Sequence, residues 1–389
     1  MKELLAAVSE DRLVEWAQTF VRRPSAQTER FEADPAVQSF IGECVQPLLD
    51  GLGHRSRRDA MGNLIAEAGP ADAPRSVMIL TYVMTHPASS MTAPFAGELG
   101  GSGAERTVRG RGVAEQKGAL AAAIGAFHAA ARNPRCRIVL AVSTAGETGQ
   151  HKAAESLLGA LNRMPQAVIV AIGTGGRISL ANKGRVDVHI EVRGKSSHSS
   201  TPWLGVNAVL GAQAVIERLA ALDLGTDEHP LLGRATLTPT SIRSYPEATH
   251  TIQDLAKLTF DRRLLPGQDP AAALRQIEQA LADMPPWTIG VRAGAFQFPA
   301  EIPADGLFMR CARAGRRRMD LGEPETFASH GCVDAGLLVR NGWEAAMWGP
   351  GDQAMWHTDE ERLPVRTLVE GAAGYLGFLL AFQDASDAS

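Results

Sequence analysis

Three short apolar runs separated by helix-like segments constrain the fold of this chain most strongly. The runs cover residues 76–82, 137–143 and 167–172, and the alanine-rich segment 119–132 has the composition of a helix. Strands that alternate with helices form a doubly wound α/β domain with a largely parallel sheet. Ligands in such domains bind at the carboxyl ends of the strands, so polar residues that follow the strands are candidate functional groups.

The pattern changes at about residue 183. Residues 185–192 alternate strictly between apolar and polar side chains, which indicates a strand with one solvated face. The segments that follow predict a four-strand, two-helix α+β insert of the ferredoxin-like type: helix 207–222, strand 235–242, strand 255–262, helix 270–283 and strand 287–292. We therefore expect a catalytic domain from residues 1–182 and 293–389, and an inserted lid or dimerisation domain from residues 183–292.

A glycine-bounded turn at residues 110–118 carries a single acidic side chain, Glu115. The glycines allow a tight turn that holds this carboxylate where a strand leads into a helix. Glu147 lies in a similar place, after the strand 137–143. Either residue has a structural alternative, in which its carboxylate accepts hydrogen bonds from amides at the start of the following helix.

Composition excludes several classes of function. Charged residues make up 21% of the chain and the formal net charge is -4, without a long basic run, so we expect no nucleic-acid partner. The four cysteines are scattered without CxxC spacing, which suits reduced thiols in the cytoplasm. No run of eighteen apolar residues and no signal-like N-terminus occur, so we expect a cytoplasmic protein with no membrane partner.

The order of short motifs along the chain resembles the two-zinc peptidases and deacylases, which include glutamate carboxypeptidase, acetylornithine deacetylase, succinyl-diaminopimelate desuccinylase and the aminoacylases. The resemblance covers nearly the whole chain. The motifs are GRGVAEQKG (110–118), GETG (146–149), KGR (183–185), GKSSHSSTP (194–202), GVNA (205–208), RLLPG (263–267), GPG (349–351) and HTDE (357–360).

The resemblance implies a site in which two zinc ions share a bridging carboxylate. It assigns Glu115 to the bridging position, where the family has aspartate, and Glu147 and His357 to the second ion. A metal ion and a neighbouring general base are the usual parts of metal-assisted hydrolysis.

This chain departs from the family pattern at the first ion. The histidine and its supporting aspartate are replaced by Tyr82 and Met84, the later acidic ligand by Ile172, and the general base by Gly146. The resemblance therefore predicts at most one divalent ion, most readily zinc, on Glu115, Glu147 and His357, or no metal at all. His86 and His151 are close in sequence to the lost ligands and could supply a rearranged metal site, but we expect them to be surface histidines.

The resemblance assigns further roles to residues of the insert. His198 would stabilise the oxyanion across the interface of a homodimer, and Asn207 and Arg263 would bind a substrate carboxylate. The alternative for His198 is a loop residue bonded to Ser196 and Ser199.

Three functions remain open at this point. The first is hydrolysis of C–N amide bonds in N-acyl amino acids or short peptides, with His198 and Glu147 as catalytic residues and a small carboxylated substrate. The second is a catalytically inactive relative that binds a carboxylated small molecule or a partner protein. The third is altered, metal-independent chemistry in the same cleft.

Overall fold

The computed structural model describes residues 2–146, 148–225 and 228–385. It divides into two compact units: unit 1 comprises Met1–Leu180, Ile302–Phe327 and Leu338–Ser389, and unit 2 comprises Ala181–Glu301 and Ala328–Leu337. The sequence-based boundary at Arg292 falls inside a strand, which continues to Gln297. The sequence pattern ends too early because Ala-Gly-Ala at residues 293–295 interrupts the apolar alternation. The strand continues past this point after a shift in register between Ala293 and Phe296.

The predicted helices 119–132, 207–222 and 270–283 are present with slightly shorter bounds. Near the N-terminus a short helix ends at Leu5, and a second begins after Ser9, whose hydroxyl accepts a hydrogen bond from the Arg12 amide at 3.3 Å. In chain order the helices are α1 Lys2–Leu5, α2 Glu10–Arg22, α3 Pro35–Ser39, α4 Gln46–Gly51, α5 Gly118–Ala130, α6 Lys152–Gly159, α7 Ala208–Ala220, α8 Pro270–Ala280, α9 Leu307–Arg318, α10 Ala335–Arg340 and α11 Val365–Asp384.

The strands include each predicted one and several short ones that lack an apolar pattern. In chain order they are β1 Ser56–Arg58, β2 Leu64–Ala68, β3 Ser76–Tyr82, β4 Glu98–Gly100, β5 Thr107–Arg109, β6 Arg137–Ser143, β7 Ala167–Ala171, β8 Ile178–Asn182, β9 Gly184–Arg193, β10 Ser197–His198, β11 Thr236–Tyr245, β12 Thr251–Ile252, β13 Leu255–Leu264, β14 Thr288–Gln297, β15 Ala300–Glu301, β16 Thr326–Ser329, β17 Glu344–Trp348 and β18 Arg362–Pro364.

The central sheet of unit 1 runs in the order β1-β2-β6-β3-β7-β17-β8. Strands β6, β3, β7 and β17 pair in parallel, whereas β2 and β8 pair antiparallel at either side of them. All residues of β3, β6 and β7 are buried, as expected of strands covered on both faces. The predicted α/β class is confirmed, with a mixed sheet that is parallel at its centre.

Helix α11 packs against both α5 and α9 in the core of unit 1. Helix α11 is long and apolar enough to cross a membrane by length and composition, but most of it is buried inside the protein. Burial of this kind is also typical of a core helix.

Unit 2 is built on a four-stranded antiparallel sheet in the order β11-β13-β9-β14. One face of β9 carries Val186, Val188, Ile190 and Val192, which are buried together with residues of α7 and α8. The strict alternation of β9 therefore predicts its structure correctly.

Candidate functional site

A small antiparallel sheet brings the glycine-bounded turn 110–118 close to the segment that carries His357. Strand β5 leads into the glycine-bounded turn, and β18 follows the segment that contains His357. The two strands pair at Arg362 and Arg109, and the Gly110 amide donates a hydrogen bond to the Glu361 carbonyl at 3.1 Å. This pairing places residues 357–361 beside the turn, so residues almost 250 positions apart become neighbours.

The turn itself is held by the carboxylate of Glu361. This side chain is 0% exposed and accepts hydrogen bonds from the amides of Gly112 at 2.8 Å, Ala114 at 3.0 Å and Glu115 at 3.4 Å. Burial raises the pKa of Glu361, against the effect of these hydrogen bonds and of Arg111. Glu361 thus takes the amide-capping role that we considered for Glu115.

Arg111 neutralises Glu361. It is 1% exposed, and its Nη1 lies 3.0 Å from the Glu361 Oε2. Its Nη1 also donates to the Thr358 carbonyl at 3.2 Å, and its Nη2 donates to the Ala88 carbonyl at 3.1 Å. The guanidinium therefore ties the turn to the segment that carries His357 as well as to the loop after β3.

Glu115 and His357 meet at the surface of this framework. Their Oε2 and Nε2 atoms are 3.2 Å apart, and the side chains are 6% and 41% exposed, respectively. His357 adopts a positive φ of 61°, an uncommon conformation for a residue with a side chain. The ring of His86 stacks on that of His357, with 4.2 Å between ring centroids.

The histidines near the lost ligands differ from their surface alternative. His86 is partly buried against His357, and His151 is buried at the start of α6. His151 has a partner within the protein. The expectation of a surface position is therefore wrong for His151, because α6 packs this residue inward.

The residues that the resemblance assigns to the first ion lack most of the expected ligand atoms. Tyr82, Met84 and Ile172 are buried, and the latter two carry no oxygen or nitrogen in the side chain. A Cβ atom on Gly146 would lie 2.1 Å from the Met84 carbonyl oxygen, so the backbone leaves no room there for a general base. Glu147, the predicted ligand and catalytic residue, lies outside the described residues.

Comparison with known proteins identifies the family. Residues 180–288 match the M20_dimer family model, a peptidase dimerisation domain. A Pyrobaculum aerophilum protein named as a LysW-lysine/LysW-ornithine hydrolase is 32% identical over 258 residues, which cover 66% of this chain and 70% of that protein. The chain belongs to the M20 peptidase family.

Other similarities agree with this assignment. An acetylornithine deacetylase of Myxococcus xanthus is 29% identical over 274 residues, covering 67% of this chain and 68% of that protein. The M20 family metallo-carboxypeptidase Sso-CP2 of Sulfolobus solfataricus has a TM-score of 0.79 at 16% identity, over 96% of this chain and 100% of that one, and so shares its fold. The family predicted from the motifs is confirmed, and its members hydrolyse amide bonds in peptides or N-acyl amino acids.

M20 enzymes generally use divalent metal ions, so the fit of this chain to an ion can be tested on its geometry. Two ligand atoms of one tetrahedral zinc ion are separated by about 3.4 Å. The Glu115–His357 separation of 3.2 Å is close to that distance. Among the described residues no group of three or more His, Cys, Asp or Glu side chains is placed to hold an ion. The Glu115–His357 pair is therefore spaced like two ligands of one ion, whereas Met84 and Ile172, at positions that the resemblance assigns to the first ion, have no side-chain oxygen or nitrogen.

The predicted site residues of unit 2 make bonds within that unit. His198 Nδ1 lies 2.8 Å from the Ser200 hydroxyl, rather than bonding Ser196 or Ser199. Asn207 caps α7, since its Oδ1 accepts from the Val209 amide at 2.9 Å.

Arg263, also predicted to bind the substrate carboxylate, already forms hydrogen bonds with the carboxylate of Asp261 in the same chain. Its Nε and Nη2 lie 2.7 and 2.9 Å from the two oxygens of Asp261. Its Nη1 reaches the His330 carbonyl at 3.3 Å and the Cys332 sulfur at 3.7 Å. The Nε–Nη2 edge of this guanidinium is therefore already occupied by Asp261.

Two residues with clear structural roles in the site were not found from the sequence. Glu361 follows two other acids, Asp359 and Glu360, and three consecutive acids do not reveal which one is buried. Arg111 was a usable signal, because a cation within a glycine-bounded turn that joins buried elements usually needs an acidic partner.

Proposed function

We propose that this chain hydrolyses a C–N amide bond in an N-acyl amino acid or a short peptide, with at most one divalent ion, most readily zinc. Glu115, Glu147 and His357 are the proposed ligands. The observation that carries the proposal is the 3.2 Å approach of Glu115 to His357 on a turn whose amides are hydrogen-bonded to Glu361. The relatives named for LysW-lysine and acetylornithine support substrates in which an acyl group is attached to an amino acid.

The ion would act as a Lewis acid toward the amide carbonyl. This chain's own residues orient the site: Glu361 fixes the backbone of the turn, which aims the Glu115 side chain at His357. Because Gly146 supplies no base, Glu147 is the proposed proton acceptor and His198 the proposed oxyanion-stabilising group. Asn207 and Arg263 are the proposed substrate-binding residues. Loss of a general base commonly costs about 10²–10⁴-fold in rate, so we expect slow turnover.

The test is the metal content of protein purified without chelators, measured by plasma mass spectrometry beside an amidase assay on N-acetyl amino acids. We expect close to one ion per chain, and its loss in Glu115→Gln and His357→Asn. His86→Asn is the matched control, because His86 stacks on His357 without being a proposed ligand. Two ions per chain, or full retention in His357→Asn, would contradict the proposal.

A second candidate function is favoured by the backbone at Gly146. A side chain at this position would bring its Cβ atom within 2.1 Å of the Met84 carbonyl oxygen, so the Met84 backbone would have to move. A chain that has no side chain at the position of the base is suited to binding without turnover. In that case a carboxylated small molecule or a partner protein would bind, and no N-acyl amino acid would be hydrolysed. Saturable binding in calorimetry without product after long incubation would select this function.

The direct contact of Glu115 with His357 also supports a third candidate, metal-independent chemistry. A carboxylate hydrogen-bonded to an imidazole is a common arrangement for proton transfer. Activity that persists at full rate after chelation, and falls on His357→Asn, would select it. Activity lost on chelation and restored by zinc would select the one-ion hydrolase.

We propose that the protein is a cytoplasmic homodimer. The match of residues 180–288 to a peptidase dimerisation domain supports this, and unit 2 exposes large apolar side chains such as Trp203 and Leu210. Light scattering coupled to size exclusion should give twice the chain mass of 41.4 kDa at micromolar concentration. A single-chain mass would remove the dimer and the proposed role of His198 across its interface.

A further inference from the structure

Two adjacent arginines of β13 lie on opposite faces of the unit 2 sheet. In the register of the two strands, Arg263 lies opposite Arg185 of β9 and Asp261 lies opposite Asp187. These four charged residues therefore share one face of the sheet. Arg262 lies opposite Val186 of β9 and Leu237 of β11 in the strand register, on the other, apolar face of the sheet, which also carries Phe260. The two guanidinium groups therefore have very different surroundings.

Arg263 is fully compensated. The edge of its guanidinium formed by Nε and Nη2 makes the two-bond contact to Asp261 described above. This contact is the arrangement in which arginine binds carboxylates most strongly.

Arg262 lacks such a partner, although it is 2% exposed. Its Nη1 donates to the Arg263 carbonyl at 2.7 Å and more weakly to the Thr236 carbonyl at 3.5 Å. Its Nε has no hydrogen-bond partner, and no described carboxylate forms an ion pair with it. Burial lowers the pKa of Arg262 to about 10, without a neighbouring acid to oppose this effect. The group nevertheless stays charged at neutral pH.

A second buried cation lies at the same end of the sheet. Lys183 is 5% exposed and donates to the Arg234 carbonyl at 2.6 Å. Burial lowers the pKa of Lys183, and the charges of Arg263 and Arg262 lower it further. The nearby lysine thus adds to the positive potential around Arg262 instead of relieving it.

A buried charge without a counter-charge is strongly unfavourable, and proteins normally pair it or bind an ion to it. We propose that the Nε–Nη2 edge of Arg262 binds a small oxyanion, a carboxylate or a phosphate group, with Lys183 contributing charge. A planar guanidinium edge matches two oxygens of either group. This oxyanion site is separate from the contact between Arg263 and Asp261. It does not depend on the proposed hydrolase function.

The direct test observes the Arg262 Nε–H in the wild-type protein. The arginine Nε region of a ¹⁵N correlation spectrum is followed while potassium phosphate or potassium acetate replaces potassium chloride at constant ionic strength. The Nε–H resonance, assigned by its absence in Arg262→Met, should shift saturably with phosphate, acetate or both, and the stronger response identifies the preferred oxyanion. A resonance that does not move with either salt overturns the proposal.

Thermal unfolding provides the second measurement. At ten times the dissociation constant, the anion should raise the Tm of the wild-type protein by about 3–6 °C. Arg262→Met should abolish this rise and, because it removes an uncompensated charge, should not lower the Tm in chloride. Arg262→Lys keeps the charge without the planar edge and should bind the anion more weakly.

Arg193→Met is the matched control, since Arg193 lies at the other end of β9 and pairs with Glu191 at 2.6 Å in an exposed position. It should keep the full rise in Tm. An equal rise in Arg262→Met and wild type would place the anion elsewhere and refute the assignment.

Discussion

Replacing Glu361 by glutamine tests whether one buried carboxylate organises the candidate site. Glutamine keeps the size of the side chain and one acceptor oxygen, but it removes the negative charge. The hydrogen bonds to the amides of Gly112 and Ala114 then lose their charge-assisted strength. More importantly, Arg111 loses its counter-charge. This side chain is 1% exposed, and its Nη1 lies 3.0 Å from the Glu361 Oε2.

The magnitude follows from this burial. Breaking a buried ion pair by removing one partner costs about 3–5 kcal/mol. We expect the lower end, about 3 kcal/mol, because burial raises the pKa of Glu361 and the carboxylate is itself costly to bury. Asp359, whose Oδ1 lies 3.9 Å from Arg111, can compensate only weakly. For a unit of this size, such a loss lowers the Tm by about 6–12 °C.

The assay is thermal unfolding followed by circular dichroism, with Glu360→Gln as the control. Glu360 is adjacent in sequence, but it is exposed and its contact with Arg362 is 3.9 Å long, so we expect less than about 0.5 kcal/mol from its loss. If Glu361→Gln unfolds within 1 °C of the wild type, the buried pair does not hold the turn and the reasoning fails.

Further predictions concern protonation and space. The Nε2 atom of His54 and the Nδ1 atom of His128 are 2.9 Å apart, and burial lowers the pKa of both residues. As the pH falls, the unfolded state therefore takes up protons before the folded state does. The free energy of unfolding should decrease as the pH drops below about 6.5. His128→Leu should reduce this acid loss in a series of Tm measurements from pH 8 to 5.5, and an unchanged slope would contradict the pairing. Gly146→Glu should lower the Tm and fail to restore activity, because its Cβ clashes with the Met84 carbonyl, whereas Gly159→Glu, where nothing lies within 4 Å, should be neutral. A stable and more active Gly146→Glu would show that the backbone there adapts.

The regular elements of the fold were predictable because apolar periodicity reports burial directly. The runs that became β3, β6 and β7 are buried on both faces, and the alternation of β9 matches one buried and one solvated face. Strands β4, β5 and β18 were not predicted, because they are three residues long and form an exposed or partly buried sheet. The pairing of β18 with β5 is long-range, since it joins Arg362 to Arg109, and no local pattern encodes it.

The candidate site divides in the same way. The chemical identity of Glu115 and His357, and the absence of ligand atoms at Met84, Ile172 and Gly146, follow from the residues alone. The approach of the first two was implied only by resemblance to a family. Arg263 illustrates the limit, since its position in a motif says nothing of the Asp261 carboxylate that occupies its binding edge.

What the sequence by itself determined is therefore the set of elements, their order and the available chemical groups, since these depend on side-chain type and local periodicity. Tertiary structure alone decided which charges are compensated. Arg111 meets Glu361 through the pairing of β5 with β18, and Arg262 lies on the apolar face one residue from the fully paired Arg263. A charge is stabilised or penalised by groups within a few ångströms in space, and in this chain those groups come from positions that can be 250 residues away.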